Sequence, residues 1–165
     1  MKIVVVYESL WGNTATVARA IADGAGGDCR AVPTDEATSG VISAAQLVVV
    51  GAPILGFRLP TDAMRESVLR TERRASSPAD LSHPSMRSWL DSVPPGHARF
   101  AAFETGLWWS PGSATKSIAE KLAQAGYVEA GKGRRFVVTG RYGPLRKGEL
   151  DKAREWGGQL ARQLG

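Results

Sequence analysis

Short apolar runs and stretches of helical period take turns along the whole chain. Lys2 to Tyr7 is a β-branched run of the kind found in strands covered on both faces. From Asn13 to Asp23 the apolar positions Val17, Ala18, Ile21 and Ala22 recur at helical spacing, and Gly24, Gly26 and Gly27 end that helix. Cys29 to Pro33 reads as a second strand, Val41 to Ala45 as a short helix, and Gln46 to Gly51 as a central strand built on Leu47-Val48-Val49-Val50. A helix starts at Thr61 behind Pro60 and reaches Leu69. Arg70 to Leu81, rich in Arg, Ser and Pro, loops out, and Pro84 to Asp91 resumes a helix closed by Val93-Pro94-Pro95-Gly96. Arg99 to Phe103 is the fourth strand. Ser113 to Ala125 is a helix with Ile118, Ala119 and Leu122 on one face and Gly126 at its stop. Arg135 to Thr139 is the fifth strand, and Glu149 to Leu164 a last helix that turns Leu150, Ala153, Trp156, Gly157, Leu160 and Leu164 inward. Strands alternating with helices imply a parallel sheet with helices on both faces, a three-layer α/β architecture in a single domain over residues 1–165.

Composition narrows the function classes. At 165 residues, 43% hydrophobic and 22% charged, the chain matches an ordinary globular domain. No apolar run approaches the ~20 residues that span a bilayer, and the opening strand turns polar at Glu8, too early for a secretory core. A cytoplasmic location without a membrane span is expected. Cys29 is the only cysteine, so an internal disulfide and a cysteine metal cage are both excluded. His83 and His97 stand alone, and no metal site is expected. The formal charge of +5 raises the question of nucleic acid. The basic residues, however, come in short pairs (Arg73-Arg74, Arg134-Arg135, Arg146-Lys147) with no matching motif, so the charge reads as a solvated surface and no nucleic-acid partner is expected.

The chemistry concentrates after the first strand. In open parallel sheets, ligands sit beyond the carboxyl ends of the strands where strand order reverses. There the chain runs Ser9-Leu10-Trp11-Gly12-Asn13-Thr14 straight into a helix. Free backbone N–H groups and the positive end of the helix dipole converge on one spot. Ser9 and Thr14 add hydroxyls, Asn13 an amide, and Gly12 permits close backbone approach. Four small or polar residues in six exceed what a helix cap needs. The set suits a phosphate dianion held by neutral donors. Neither G-x-G-x-x-G nor a G-K-[ST] loop follows the strand. A receiver domain needs an aspartate at the end of the third strand, where this chain has Gly51-Ala52-Pro53.

The run from Val5 through Tyr7-Glu8-Ser9-Leu10-Trp11-Gly12-Asn13-Thr14 to Ala18 and Ile21 resembles the flavodoxin signature, and the resemblance extends over essentially the whole chain. It implies a doubly wound sheet of five parallel strands in the order 2-1-3-4-5, with FMN at the switch point. Gly51-Ala52-Pro53-Ile54-Leu55-Gly56 resembles the second flavin loop, which makes Pro53, Ile54, Leu55 and Gly56 candidate contacts. Phe103-Glu104-Thr105-Gly106-Leu107-Trp108-Trp109 falls at the third loop, adding Glu104, Thr105, Gly106, Trp108 and Trp109. Gly140-Arg141-Tyr142-Gly143-Pro144-Leu145 resembles a turn before the last helix. An isoalloxazine ring needs apolar walls and backbone groups for its polar edge. Adjacent loop residues point apart, so at most one of Trp108 and Trp109 is expected at the ring. Trp89 and Trp156 are expected in the core, and Trp11 either shields the ribityl chain or faces outward.

Two departures accompany the resemblance. Many flavodoxins have Thr where Trp11 stands, although flavodoxin-like modules of larger flavoproteins carry an aromatic there. Electron-carrying flavodoxins are typically acidic, whereas this chain carries +5. A basic protein opposes the second electron on the flavin less and prefers acidic partners or anionic substrates. The leading expectation is an FMN-binding redox protein with no catalytic side chain of its own, serving a redox partner protein or a small planar substrate. The alternatives are an FMN-dependent oxidoreductase acting on a quinone or porphyrin, with residues 70–96 as lid or partner surface, and a cofactor-free interaction module of the same fold.

Overall fold

The computed structural model describes residues 2–72 and 78–165. The Arg73-Arg74 pair and the middle of the expected 70–81 loop lie outside the described residues. Strand β1 (Ile3–Tyr7) is buried along its whole length, with Val4 and Val6 facing one side and Ile3, Val5 and Tyr7 the other. It pairs in parallel with β2 (Cys29–Pro33), in register Ile3↔Cys29, and with β3 (Leu47–Pro53), in register Ile3↔Leu47. Strand β4 (Arg99–Gly106) continues the parallel sheet from Leu47↔Arg99 to Pro53↔Thr105.

The fifth position is divided. β5 (Val128–Glu129) pairs with β4 at Arg99 and Phe100, and β6 (Arg134–Val137) pairs with it at Phe103 to Gly106. Ala130-Gly131-Lys132-Gly133 interrupts the edge between the two pieces, where the glycines weaken a continuous strand. The order β2-β1-β3-β4-β5, with β6 also on β4, is the expected one. β3 and β4 each run further than their apolar cores foretold, so Pro53, Glu104, Thr105 and Gly106 are strand ends and not loop residues.

Helices α1 (Asn13–Ala25) and α6 (Glu149–Arg162) cover one face, packing on Val5, Val49, Phe103 and Phe136. They approach so closely that a Cβ on Gly24 would overlap the Arg154 carbonyl, and one on Gly157 the Ile21 carbonyl oxygen. Trp156 is buried against Phe103 and Phe136, while Leu150 and Leu164 are only half-buried. The other face carries α2 (Ser39–Ser43), α4 (Met86–Ser92) and α5 (Thr115–Gln124) over Val4, Val6, Val48, Val50 and Phe100. Trp89 is buried there, its Nε1 donating to the Ala37 carbonyl at 2.9 Å. Within residues 84–96, Ser85, Met86, Trp89 and Leu90 are buried, while Pro84, Ser88, Asp91, Ser92 and Pro95 are exposed. Helix α3 (Asp62–Thr71), capped where Thr61 Oγ1 accepts from Met64 N at 3.2 Å, continues two residues past Leu69. Its Val68 packs with Leu10 and Ala79 in a small separate cluster over the first loop.

Candidate functional site

The turn after β1 is built from its own side chains. Glu8 is buried: its Oε2 accepts from Met86 N at 2.9 Å and its Oε1 lies 3.2 Å from Arg65 Nε, so it fastens the loop to α3 and α4. Burial pushes the Glu8 carboxyl up, outweighing the Met86 N–H and the Arg65 charge. Ser9 Oγ accepts from Gly12 N at 3.1 Å and Ala15 N at 3.2 Å, which folds the loop back on the helix start. Gly12 has φ +92°, a left-handed position that only glycine takes without cost, and a Cβ there would meet only open space. Thr14 is buried with its Oγ1 2.8 Å from Thr105 Oγ1, tying the loop to the end of β4. Asn13 Nδ2 donates to the Tyr142 carbonyl at 3.1 Å.

This donor set fits an anion. The N–H groups of Asn13 and Thr14, at the first turn of α1, have no acceptor inside the helix. Trp11 Nε1 is buried without a hydrogen-bond partner among the described residues.

In the second loop, Leu55 N donates to the Arg58 carbonyl at 2.9 Å and Arg58 N to the Leu55 carbonyl at 3.3 Å. The two residues between them, Gly56 (φ +54°) and Phe57 (φ +65°), are both left-handed, as a tight two-residue hairpin requires. Phe57 is left exposed at its tip.

The third loop is organised from below. Glu104 Oε2 accepts from Ala114 N (2.7 Å), Thr115 N (3.0 Å) and Ser113 Oγ (3.1 Å), and Oε1 accepts from Arg135 Nε at 2.9 Å. The Arg135 guanidinium also donates to the carbonyls of Leu107 (3.1 Å), Ser110 (2.7 Å) and Gly112 (2.9 Å).

The three loops enclose a cavity of about 460 Å³, within the range of small-molecule sites. Of the residues singled out in the sequence, Leu10, Trp11, Asn13, Thr14, Pro53, Ile54, Leu55, Gly56, Thr105, Gly106 and Trp109 line it. Four do not. Ser9 and Gly12 form the turn outside the cavity wall, Glu104 gives its carboxylate to the network beneath the third loop, and Trp108 stands 74% exposed. Trp11 neither faces outward nor stands apart: it lines the cavity with its ring 5.2 Å edge-on from Tyr142 and 5.9 Å from the Arg141 guanidinium carbon. Phe57, Met64, Ser67, Val68, Leu107, Ser110, Val138 and Arg141 complete the wall. Phe57 and Leu107 come with the second and third loops already named from the sequence; no spacing announced the others, since they converge only through the crossovers.

The loops around the mouth carry charge of one sign. Segments 9–14, 54–58, 107–113 and 139–148 contain Arg58, Arg141, Arg146 and Lys147 and no acidic residue. Arg141 pairs with Glu72 at 2.7 Å and Arg146 with Glu149 at 3.0 Å. Among the described residues, no helix is long and apolar enough to cross a membrane.

Comparison with known proteins follows the same lines. The sequence model of the flavodoxin family matches residues 5–159. No curated protein matches. A flavodoxin from the domain Archaea superposes with TM-score 0.70 at 23% identity, over 99% of both chains. The oxidised flavodoxin 1 of Bacillus cereus superposes with TM-score 0.68 at 16% identity, over all of both chains. The rubredoxin:oxygen oxidoreductase of Desulfovibrio gigas superposes with TM-score 0.65 at 19% identity, over 99% of this chain but 36% of that one.

Proposed function

We propose, for a chain that belongs to the flavodoxin family and so is an FMN-binding electron-transfer protein, that the cofactor's phosphate is held by Ser9 to Thr14 and its ring by the adjoining cavity. The single observation that carries this reading is the continuity of two unlike surfaces. A turn of neutral N–H and O–H donors opens into an apolar cavity at the carboxyl ends of β1, β3 and β4.

The bound flavin supplies one- and two-electron redox chemistry; the chain's residues bind it, orient it and set its surroundings. Asn13 and Thr14 present backbone N–H groups to the phosphate at the helix start. Ser9, accepting two amides through Oγ, keeps its own proton free to donate toward the anion. Leu55, Phe57 and Trp109 form apolar walls for the ring. Arg135 and Glu104 hold the third loop in place without touching the cavity. The loops around the mouth carry only basic charges, which supports an acidic or anionic redox partner.

The test is direct. Purified protein incubated with FMN acquires a shifted visible flavin spectrum, and the Ser9→Ala/Thr14→Ala double variant binds at least tenfold more weakly. A protein that stays colourless would favour the cofactor-free module, and undiminished affinity in the variant would remove the assignment of the loop. Reduction by an acidic partner slows as salt is raised; a rate independent of ionic strength would remove the partner assignment.

A further inference from the structure

Among the described residues lining the cavity, Arg141 is the only one with an ionisable side chain. It comes from the turn before α6, remote in sequence from the donor loop, yet it stands against that loop. Its guanidinium carbon is 5.9 Å from the Trp11 ring, and the next residue's carbonyl is held by Asn13 Nδ2 at 3.1 Å. The Asn13 contact fixes the turn over the start of α1, and a Cβ on Gly143 would overlap the Asn13 side chain. Arg141 gives Nη2 to Glu72 Oε1 at 2.7 Å. A guanidinium carries five N–H donors, so this contact leaves the others to serve a ligand. Half of the side chain is exposed, and it can turn without breaking a packed core.

The donor loop itself contains no cation. From these observations we infer that Arg141 is the determinant that makes this site prefer a phosphorylated flavin over an unphosphorylated one, by placing one positive charge where the loop offers only neutral donors. The inference rests on the flavin reading above and adds to it a residue outside the loop. Trp11 is the stacking platform that keeps the guanidinium at the cavity wall, and Glu72 restrains it when no anion is present.

Apoprotein is titrated with FMN and, separately, with riboflavin, following the quenching of flavin fluorescence. Arg141→Gln is expected to weaken FMN about tenfold, the lower end for a lost hydrogen bond to a charged group, and riboflavin less than twofold. The preference of the native protein for FMN over riboflavin shrinks as salt is raised, and that of Arg141→Gln changes less. Arg141→Lys, which keeps the charge and loses the planar fork, retains most of the preference. Equal losses for the two flavins, no loss for either, or a lysine variant as indiscriminate as the glutamine one would each overturn the inference. A native protein that binds neither flavin would instead overturn the site assignment, and the inference with it. The two failures are separated by the native titration alone.

Discussion

Arg135 and Glu104 form the hub beneath the third loop, joined Nε to Oε1 at 2.9 Å and between them holding three loop carbonyls and two amides at the start of α5. Trp109 reaches the cavity from a loop with little apolar packing of its own, so this pair takes the place of a core. Glu104→Ala removes the carboxylate and leaves Arg135 and the Ala114 and Thr115 N–H groups without their acceptor. The expected cost is about 3 kcal/mol, the scale for breaking a buried ion pair. It is read as a lower urea midpoint with an unchanged slope. A loss under 1 kcal/mol would show that the loop holds itself.

The contact between α1 and α6 depends on missing side chains. Gly157→Ala puts a methyl onto the Ile21 carbonyl oxygen and forces the helices apart, at an expected 1–3 kcal/mol, roughly the cost of overpacking. Gly27→Ala, where a Cβ meets open space, is the control and should move stability by less than about 0.5 kcal/mol. Thermal unfolding of the two variants checks both figures, and equal shifts would contradict the packing argument.

Acid should weaken the fold through Glu149. Burial alone would raise its carboxyl, but hydrogen bonds from Val137 N, Lys152 and Arg146 together outweigh it and hold the group below its ordinary value of 4.5. A carboxylate depressed in the folded state contributes stability that is complete above the unfolded value and lost as pH falls through the folded one. Glu8 is pushed up and works in the opposite sense, costing stability above its folded value and relieved on protonation. Between about pH 5 and 3 the melting temperature of Glu149→Gln should therefore fall less steeply than that of the native chain. Parallel curves would show that Glu149 is not a source of the acid sensitivity.

The charge of the chain has an electrochemical consequence. One charge ~10 Å from the ring shifts the second one-electron reduction by ~0.4 kcal/mol, or roughly 18 mV, in the dielectric of water. Several together amount to on the order of 100 mV, less with salt. The basic residues at the mouth make that second potential less negative than in an acidic flavodoxin. Spectroelectrochemistry of the FMN-loaded protein reads it directly, and a value as low as an acidic flavodoxin's would refute the argument.

Sequence legibility followed burial. β1 and β3 were evident because uninterrupted apolar, β-branched runs are local signals, and the Ser9–Thr14 turn stood out because its polar residues lie within six consecutive positions. Glu104 read as a loop ligand because its neighbours did. Its role is set instead by Arg135, 31 positions further on, which no local pattern reveals. β4 runs past Phe103 because Thr105 pairs with Pro53, a tertiary fact, and β5 escaped notice because Val128 and Glu129 are exposed. Arg141 lines the cavity through topology, beyond the reach of periodicity.

The hydrogen bond from Asn13 to the Tyr142 carbonyl spans 129 positions. The Ser9–Thr14 turn is therefore synthesised well before the segment that covers it. Nascent chains stopped short of residue 140 would own the floor of the site without its cover, and cofactor uptake would wait on the segment that supplies the Tyr142 carbonyl.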